Sequence, residues 1–475
     1  MWAAFGSLLL LGAPLRAGVS AEDLPVLGDA SSSLISPEME RQIGSQFLKQ
    51  LHAALPTLDD PILKYWVTEH ITDLAQYSQL RDNLMQVVVI DNPEINAFAA
   101  PGGVVGINSG LLLAAQDIHE YSSVIAHELA HLSQRHFARG IEEQRAQTLP
   151  TIASLLAAIM IGAVGGGDAG MAAVSAAQAA AQSNQLRYSR TREQEADRIG
   201  LNTLVRADLD PRGMSRMFER MQQAYRFTSR PPEFLLTHPL TESRVADARQ
   251  QVQQLPRGTY HDSPEYALMR ARVQVNYASS PQAALAQFEK RVRDHPDDPA
   301  AQYGLALALA GVGQHSQALA LGDTLFTHDP RSILNTAAYG ELLIKAGKHD
   351  QAAALLKKHL ALNPDNAPLA MLYADALVKQ GQYAEAEQVL ARQSQVRKDD
   401  VDVWYNLAEV AGLAGDIVGV HRARAEYFAL HGAYQKAISH LEYARRIVDR
   451  SDTQLLARLD QRIDDFRTAL RIAQS

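Results

Sequence analysis

The second half of the chain repeats one pattern of apolar and polar positions. Apolar runs at helical spacing end in glycine every 34 residues, and an alanine and a proline recur with the same period. The pattern predicts stacked helix pairs, with glycine at the turn within a pair, alanine where the two helices cross and proline ending the second helix. The recurring residues are Gly313, Gly347, Gly381 and Gly415, Ala284, Ala318, Ala352 and Ala386, and Pro296, Pro330 and Pro364.

This 34-residue period resembles the tetratricopeptide repeat, so we expect an α-solenoid over residues 263–475. Residues 451–475 are typical of a polar capping helix. A solenoid of this kind offers a concave surface and no chemistry of its own, and its expected role is to hold a protein partner or substrate.

The first half of the chain predicts a mainly helical domain with a small β element. Residues 125–132 carry apolar side chains at helical spacing without glycine or proline, which predicts a helix. The β-branched runs 85–90 and 104–107, bounded by Asn, Pro and Gly, predict a small hairpin or edge pair of strands. Two roles are open for it: an edge that holds an extended peptide by strand addition, or a purely structural pair.

An apolar segment interrupts this domain. Residues 149–164 are almost entirely apolar, and an alanine-rich stretch at 169–181 follows a glycine-rich break. The first run is shorter than the about 20 residues needed to span a bilayer, which disfavours an integral membrane protein. The segment 149–181 suits a mobile flap, a surface making peripheral membrane contact, or a buried helical hairpin.

The two ends of the first domain are marked by other signals. Residues 1–21 form an apolar run followed by a small-residue cleavage site, which predicts a signal peptide although no Lys or Arg precedes the run. Pro, Gly and polar residues at 255–259 predict a linker. The predicted domains are therefore 22–255 and 263–475.

Composition indicates where the protein is located and which class of partner it does not bind. The chain has no cysteine, so neither a disulfide nor a lipid on cysteine is expected. Its net charge of −8 becomes −9 when Arg16 leaves with the signal peptide, which argues against a nucleic-acid partner. Together with the leader, this composition predicts a protein of the periplasm.

Candidate chemistry lies on the helix predicted at 125–132. In the sequence His127-Glu128-Leu129-Ala130-His131 the two histidines are four apart and share one helical face, so both imidazoles can reach one Zn²⁺. Glu128 beside them is placed to act on a water molecule. The alternative is a helix that carries two histidines by chance.

A catalytic zinc usually has three protein ligands, so a further ligand is required downstream. Glu193 and Asp197 are also four apart, and one can bind the metal while the other accepts the N–H of a ligating histidine. We assign Glu193 as the ligand and Asp197 as the histidine partner. Glu195 lies about 200° around the helix from Glu193, and its expected state is a solvated charge.

These motifs together resemble the M48 zinc metallopeptidases, whose pattern is HExxH followed by ExxxD. Further matches are the stretch 96–112 with its turn at 101–103, the tract 131–136 and Thr237-His238-Pro239 followed by Arg244. The resemblance covers roughly residues 35–250. It implies a zincin-like helical metallopeptidase domain with one Zn²⁺ per subunit and a substrate edge strand at Asn96, Ala97, Phe98 and Ala99.

His238 and Arg244 each have two candidate roles. A lone histidine before proline is usually a solvated loop residue. The resemblance to M48 proteins with a tetratricopeptide tail implies instead that His238 occupies the fourth zinc position and shuts the site. Arg244 is a candidate for stabilising the transition state or, more commonly for an arginine, for pairing with a local carboxylate.

The resemblance also implies the biological role. It implies a periplasmic zinc endopeptidase, with possible chaperone activity, that acts on outer-membrane β-barrel proteins and contacts their assembly machinery through the repeats. The alternative class is a chaperone or scaffold whose repeat domain binds clients while the metal site is largely autoinhibited.

Overall fold

The computed structural model describes residues 35–81, 84–143, 190–226, 233–255 and 258–474. The predicted signal peptide 1–21 and the apolar segment 149–181 lie outside these ranges. No helix within the described ranges is both long and apolar enough to cross a membrane.

The first domain is mainly helical, and its helices begin at residues that can cap them. Asp117 caps the helix Ile118–Ser133 by accepting the backbone N–H of Glu120. Asp60 caps the helix Pro61–Gln76 by accepting the backbone N–H groups of Ile62 and Leu63. The helices are α1 Pro37–Ala54, α2 Pro61–Gln76, α3 Gly110–Ala114, α4 Ile118–Ser133, α5 His136–Glu143, α6 Arg190–Arg206, α7 Arg212–Arg226, α8 Glu233–Thr237 and α9 Glu242–Gln254.

A three-stranded sheet lies against these helices in the order β1-β3-β2, with β1 Gln86–Ile90, β2 Ala97–Ala100 and β3 Val104–Asn108. Of the two arrangements expected for the β-branched runs, the structure has a pair of neighbouring strands, because β1 pairs with β3 in parallel. The hairpin joins β2 to β3, which are antiparallel. Gly102 and Gly103 form its turn at φ of 77° and 89°, a region that glycine adopts without steric cost.

The second domain is the expected solenoid of tetratricopeptide-type helix pairs. Gly313, Gly347, Gly381 and Gly415 all turn the chain with φ between 72° and 83°. The paired helices are α10 Pro264–Asn276 with α11 Pro281–Asp294, α12 Pro299–Gly311 with α13 His315–His328, α14 Ile333–Lys345 with α15 His349–Leu362, α16 Ala367–Lys379 with α17 Tyr383–Val396, α18 Val401–Ala414 with α19 Ile417–Leu430, and α20 Tyr434–Ile447 with α21 Thr453–Gln474.

The first helices of the repeats pack onto the first domain. Helix α10 contacts α3, and α2 contacts both α14 and α16. The Tyr266 hydroxyl donates to the carbonyl of Ala115 at 3.0 Å, and Arg272 joins Asp60 of the first domain to Glu341 of the repeats. The surface expected to hold a partner is therefore covered in part by the chain's own first domain, and one apolar core runs through both.

Candidate active site

Helix α4 carries the first half of the site inside the domain. Its residues from Ile118 to His131 are all buried, and the Nε2 atoms of His127 and His131 lie 3.0 Å apart. Helix α6 approaches α4 closely because residue 200 is glycine: a Cβ there would lie 3.2 Å from the backbone nitrogen of His127. This close contact brings the carboxylates of α6 to the histidines.

Glu193 and Asp197 lie on opposite sides of the His127 ring. The Glu193 carboxylate is 3.4 Å from Nε2 of His127 and of His131, whereas Asp197 Oδ1 is 2.9 Å from Nδ1 of His127. Possible ligand atoms of His127, His131, Glu193 and His238 all lie within 4.8 Å of one another. Imidazole nitrogens and a carboxylate converging on one buried point fit a zinc ion, and Asp197 contacts the ring nitrogen of His127 that faces away from this point.

Burial and the neighbouring charges shift the pKa values of the site residues in different directions. Burial lowers the pKa of His127, but its interactions with Asp197 and Glu193 outweigh this and raise the pKa to about 9. Burial prevails at His131 and lowers the pKa to about 3. Burial raises the pKa of Glu193, but the charge of His238 and hydrogen bonds from His127 and His131 hold it well below the usual range.

Glu128 is buried, and its carboxylate accepts a hydrogen bond from the backbone of Ala99. Nε2 of His238 lies 3.6 Å from its Oε1. Burial raises the pKa of the Glu128 carboxyl, and the charges of His238 and His127 oppose the rise. A buried carboxylate with a raised pKa can take a proton from water and later release it.

His238 follows α8 and points into the site. It is 2% exposed, unlike a solvated loop histidine, and its ring stacks on Phe234 at 4.8 Å between centroids. Its Nδ1 lies 3.2 Å from Glu193 Oε1 and 3.4 Å from His127 Nε2. The structure therefore places a third imidazole beside the two histidines of α4.

Arg244 contacts both carboxylates of α6. Its guanidinium lies 2.8 Å from Glu193 and 2.7 Å from Asp197, and all three side chains are buried. Arg244 thus has the contacts of a residue that pairs with local carboxylates, which was one of its two candidate roles. A buried arginine offsets charge that would otherwise destabilise two neighbouring carboxylates.

The residues of the predicted edge strand lie in two places, one beside the site and the others in the core. Strand β2 is an edge of the sheet, and a cavity of about 240 Å³ beside it is lined by Ala99 and His131 among others. Phe98 packs its ring beneath Gly106 and against Phe47. Asn96 and Ala97 are buried and do not line this cavity.

Two residues near the site depart from expectation. The interpretation of Glu195 as a solvated charge is wrong, because its carboxylate accepts hydrogen bonds from His136 at 3.1 Å and Arg139 at 3.0 Å. His136, which had no assigned role, is fully buried with Nδ1 2.8 Å from Nδ1 of His131. The helix breaks between His131 and His136, so helical spacing gave no signal for this contact.

Comparison with known proteins gives the class to which this fold and site belong. The model of "Peptidase family M48" matches residues 61–252, and two tetratricopeptide-repeat models match residues 268–330 and 343–410. The chain belongs to peptidase family M48 and is a metalloendopeptidase with a tetratricopeptide-repeat domain.

Particular relatives are similar over nearly the whole chain. A relative from Vibrio cholerae serotype O1 is 35% identical over 96% of both chains. The beta-barrel assembly-enhancing protease of Escherichia coli strain K12 is 32% identical over 94% of this chain and 92% of its own length. The mitochondrial metalloendopeptidase OMA1 of Bos taurus is 35% identical, but over 33% of this chain and 30% of its own length.

Proposed function

We propose that the protein is a periplasmic zinc endopeptidase that acts on outer-membrane β-barrel proteins during their assembly and quality control. The observation that carries the proposal is the convergence of His127, His131 and Glu193 beside the buried carboxylate of Glu128. The name of the relatives that match nearly the full chain supports the class of client.

In this proposal His127, His131 and Glu193 hold one Zn²⁺. When bound, zinc supplies Lewis acidity that polarises the scissile carbonyl and makes an adjacent water a stronger acid. Glu128 takes a proton from the attacking water and delivers it to the leaving amine. Asp197 accepts the Nδ1–H of His127 and so keeps its Nε2 lone pair directed at the metal.

The substrate is an extended peptide lying beside β2. The edge position of this strand and the adjacent cavity of about 240 Å³ support binding by strand addition, with Ala99 nearest the site. Clients whose strands are still unpaired suit this mode. The repeats then contact the client or the assembly machinery with surfaces other than those covered by α2 and α3.

His238 closes the site in this proposal by taking the fourth metal position. Its distances to Glu193 and His127 support this assignment, since a fourth nitrogen ligand excludes the water that Glu128 must activate. His238→Ala and His238→Arg are expected to raise proteolysis or self-cleavage at unchanged zinc content. A loss of proteolysis in both variants would instead assign His238 to transition-state stabilisation.

The location in the periplasm rests on the leader-like residues 1–21 and the absence of cysteine. Peripheral membrane contact through 149–181 belongs to the same proposal, supported by the apolar composition of that segment. Export is tested by the apparent mass and N-terminal sequence of the protein recovered from a periplasmic fraction.

One pair of variants tests the activity. Glu193→Gln is expected to lose zinc on purification, whereas Glu128→Gln keeps zinc but stops turnover of an unfolded β-barrel protein. Glu242→Gln, an exposed carboxylate on α9, is the matched control. If Glu128→Gln leaves turnover and assembly of the client unchanged, the protease assignment fails. Lost turnover with persisting assembly would mean that protease activity and a chaperone activity coexist in the chain.

A further inference from the structure

Helix α6 reaches the two histidines of α4 by two separate routes. On one side Asp197 lies directly against Nδ1 of His127. On the other side Glu195 contacts Nε2 of His136, and Nδ1 of His136 contacts Nδ1 of His131. Glu195 and Asp197 are two residues apart, so they leave the helix about 200° apart and serve different histidines.

The backbone places His136 for this contact. Helix α4 ends at Ser133, and Arg135 adopts a φ of 50°, a left-handed conformation that is unusual for a residue with a side chain. The Arg135 guanidinium is held by Glu40 at 2.8 Å and by the carbonyl of Ile35. Helix α5 begins at this turn. The turn directs the ring of His136 toward the ring of His131.

The carboxylate of Glu195 determines which nitrogen donates and which accepts along the hydrogen bonds from Glu195 through His136 to His131. A carboxylate can only accept, so Nε2 of His136 carries the proton shared with Glu195. A neutral imidazole has one N–H, so Nδ1 of His136 accepts, and the donor across the 2.8 Å contact is Nδ1–H of His131. His131 then has its lone pair on Nε2, the atom that faces His127 and Glu193.

We propose that Glu195 and His136 are positioning residues that hold His131 in its metal-binding tautomer, as a longer counterpart of the contact between Asp197 and His127. This inference rests on the proposed zinc site. Arg139 anchors the outer end by donating to Glu195 at 3.0 Å, and the Glu195 side chain is 32% exposed, so the relay runs from the surface to the metal site.

The test is zinc affinity of the full mature chain, measured by competition with a chromophoric chelator at constant pH. His136→Phe, which keeps a ring but no nitrogen, and Glu195→Ala are each expected to weaken zinc binding by about 10- to 100-fold. Because the two residues act in series, the double variant is expected to bind zinc no more weakly than His136→Phe alone. Glu195→Gln keeps an acceptor oxygen and is expected to restore most of the affinity.

Arg198→Ala is the matched control, since Arg198 lies on the same helix and pairs at the surface with Asp247. Unchanged zinc affinity in Glu195→Ala would overturn the inference even if His136→Phe did not fold. Losses that multiply in the double variant, or equal losses for Glu195→Gln and Glu195→Ala, would overturn it as well. Failure of the wild-type chain to bind zinc would instead overturn the proposed function.

Discussion

His52 provides a quantitative prediction about acid stability. The side chain lies on α1 where this helix meets α19, and it is buried there beside the ring of His431. Burial, the neighbouring His431 and Lys64 lower the pKa of His52 to about 4, against the opposing charge of Asp400 and the side chain of Gln86. The folded chain therefore resists protonation at a position where the unfolded chain does not.

The magnitude follows from the two pKa values. The unfolded chain binds the proton near pH 6.5 and the folded chain near pH 4, so stability falls as the pH drops through this window. The penalty is about 2 kcal/mol at pH 5 and about 3 kcal/mol at pH 4. Above pH 6.5 His52 is neutral in both states, and the titration contributes nothing.

The perturbation is His52→Leu, which removes the titration and keeps an apolar side chain. Urea unfolding from pH 7 to pH 4, with EDTA throughout so that metal loss is equal, should show the variant losing about 3 kcal/mol less than the wild type. His295→Leu, at an exposed histidine, should follow the wild type. Parallel pH profiles for wild type and His52→Leu would refute the reasoning.

Three further outcomes follow from the packing. Gly200→Val should weaken zinc binding and destabilise the fold, because its Cβ would lie 3.2 Å from the backbone of His127; chelator competition and thermal unfolding measure the two effects. Arg272→Met removes the guanidinium that joins Asp60 to Glu341, leaves Lys345 as the remaining partner of Glu341, and should lower the free energy of unfolding by about 3 kcal/mol in urea titrations. Gly313→Ala places a side chain at φ of 80° in open space and should reduce the thermal stability by about 1 kcal/mol, with the fold and zinc content unchanged.

The mainly helical fold class and the membership of family M48 were predictable from the sequence, and both are confirmed. The repeats left a clear signal because a left-handed turn at Gly313, Gly347 and their counterparts selects for glycine at every period. The pairs at i and i+4 placed His127 with His131 and Glu193 with Asp197 on common faces because helical geometry is local. The assignment of these residues to a metal remains a prediction.

The features that escaped sequence reasoning depend on contacts between distant parts of the chain. The parallel pairing of β1 with β3 left no local signal, because β2 lies between them in sequence and at the far edge of the sheet in space. The relay from Glu195 to His136 depends on a single left-handed residue, Arg135, for which no local pattern exists. The packing of the repeats on α2 could not be predicted from the 34-residue period, because α2 belongs to the first domain and lies outside the repeats.

The shared core also sets an order of events during folding. Lys64 pairs with Asp402 across 338 residues, and Trp66 of α2 packs on Tyr121 of α4, which packs in turn on Tyr266 of the repeats. Contacts between residues this distant in sequence form late in folding, after the intervening chain has been synthesised. The helix that carries the histidines therefore reaches its final packing only when the first repeat helix is in place, and a chain truncated before Tyr266 would lack that packing.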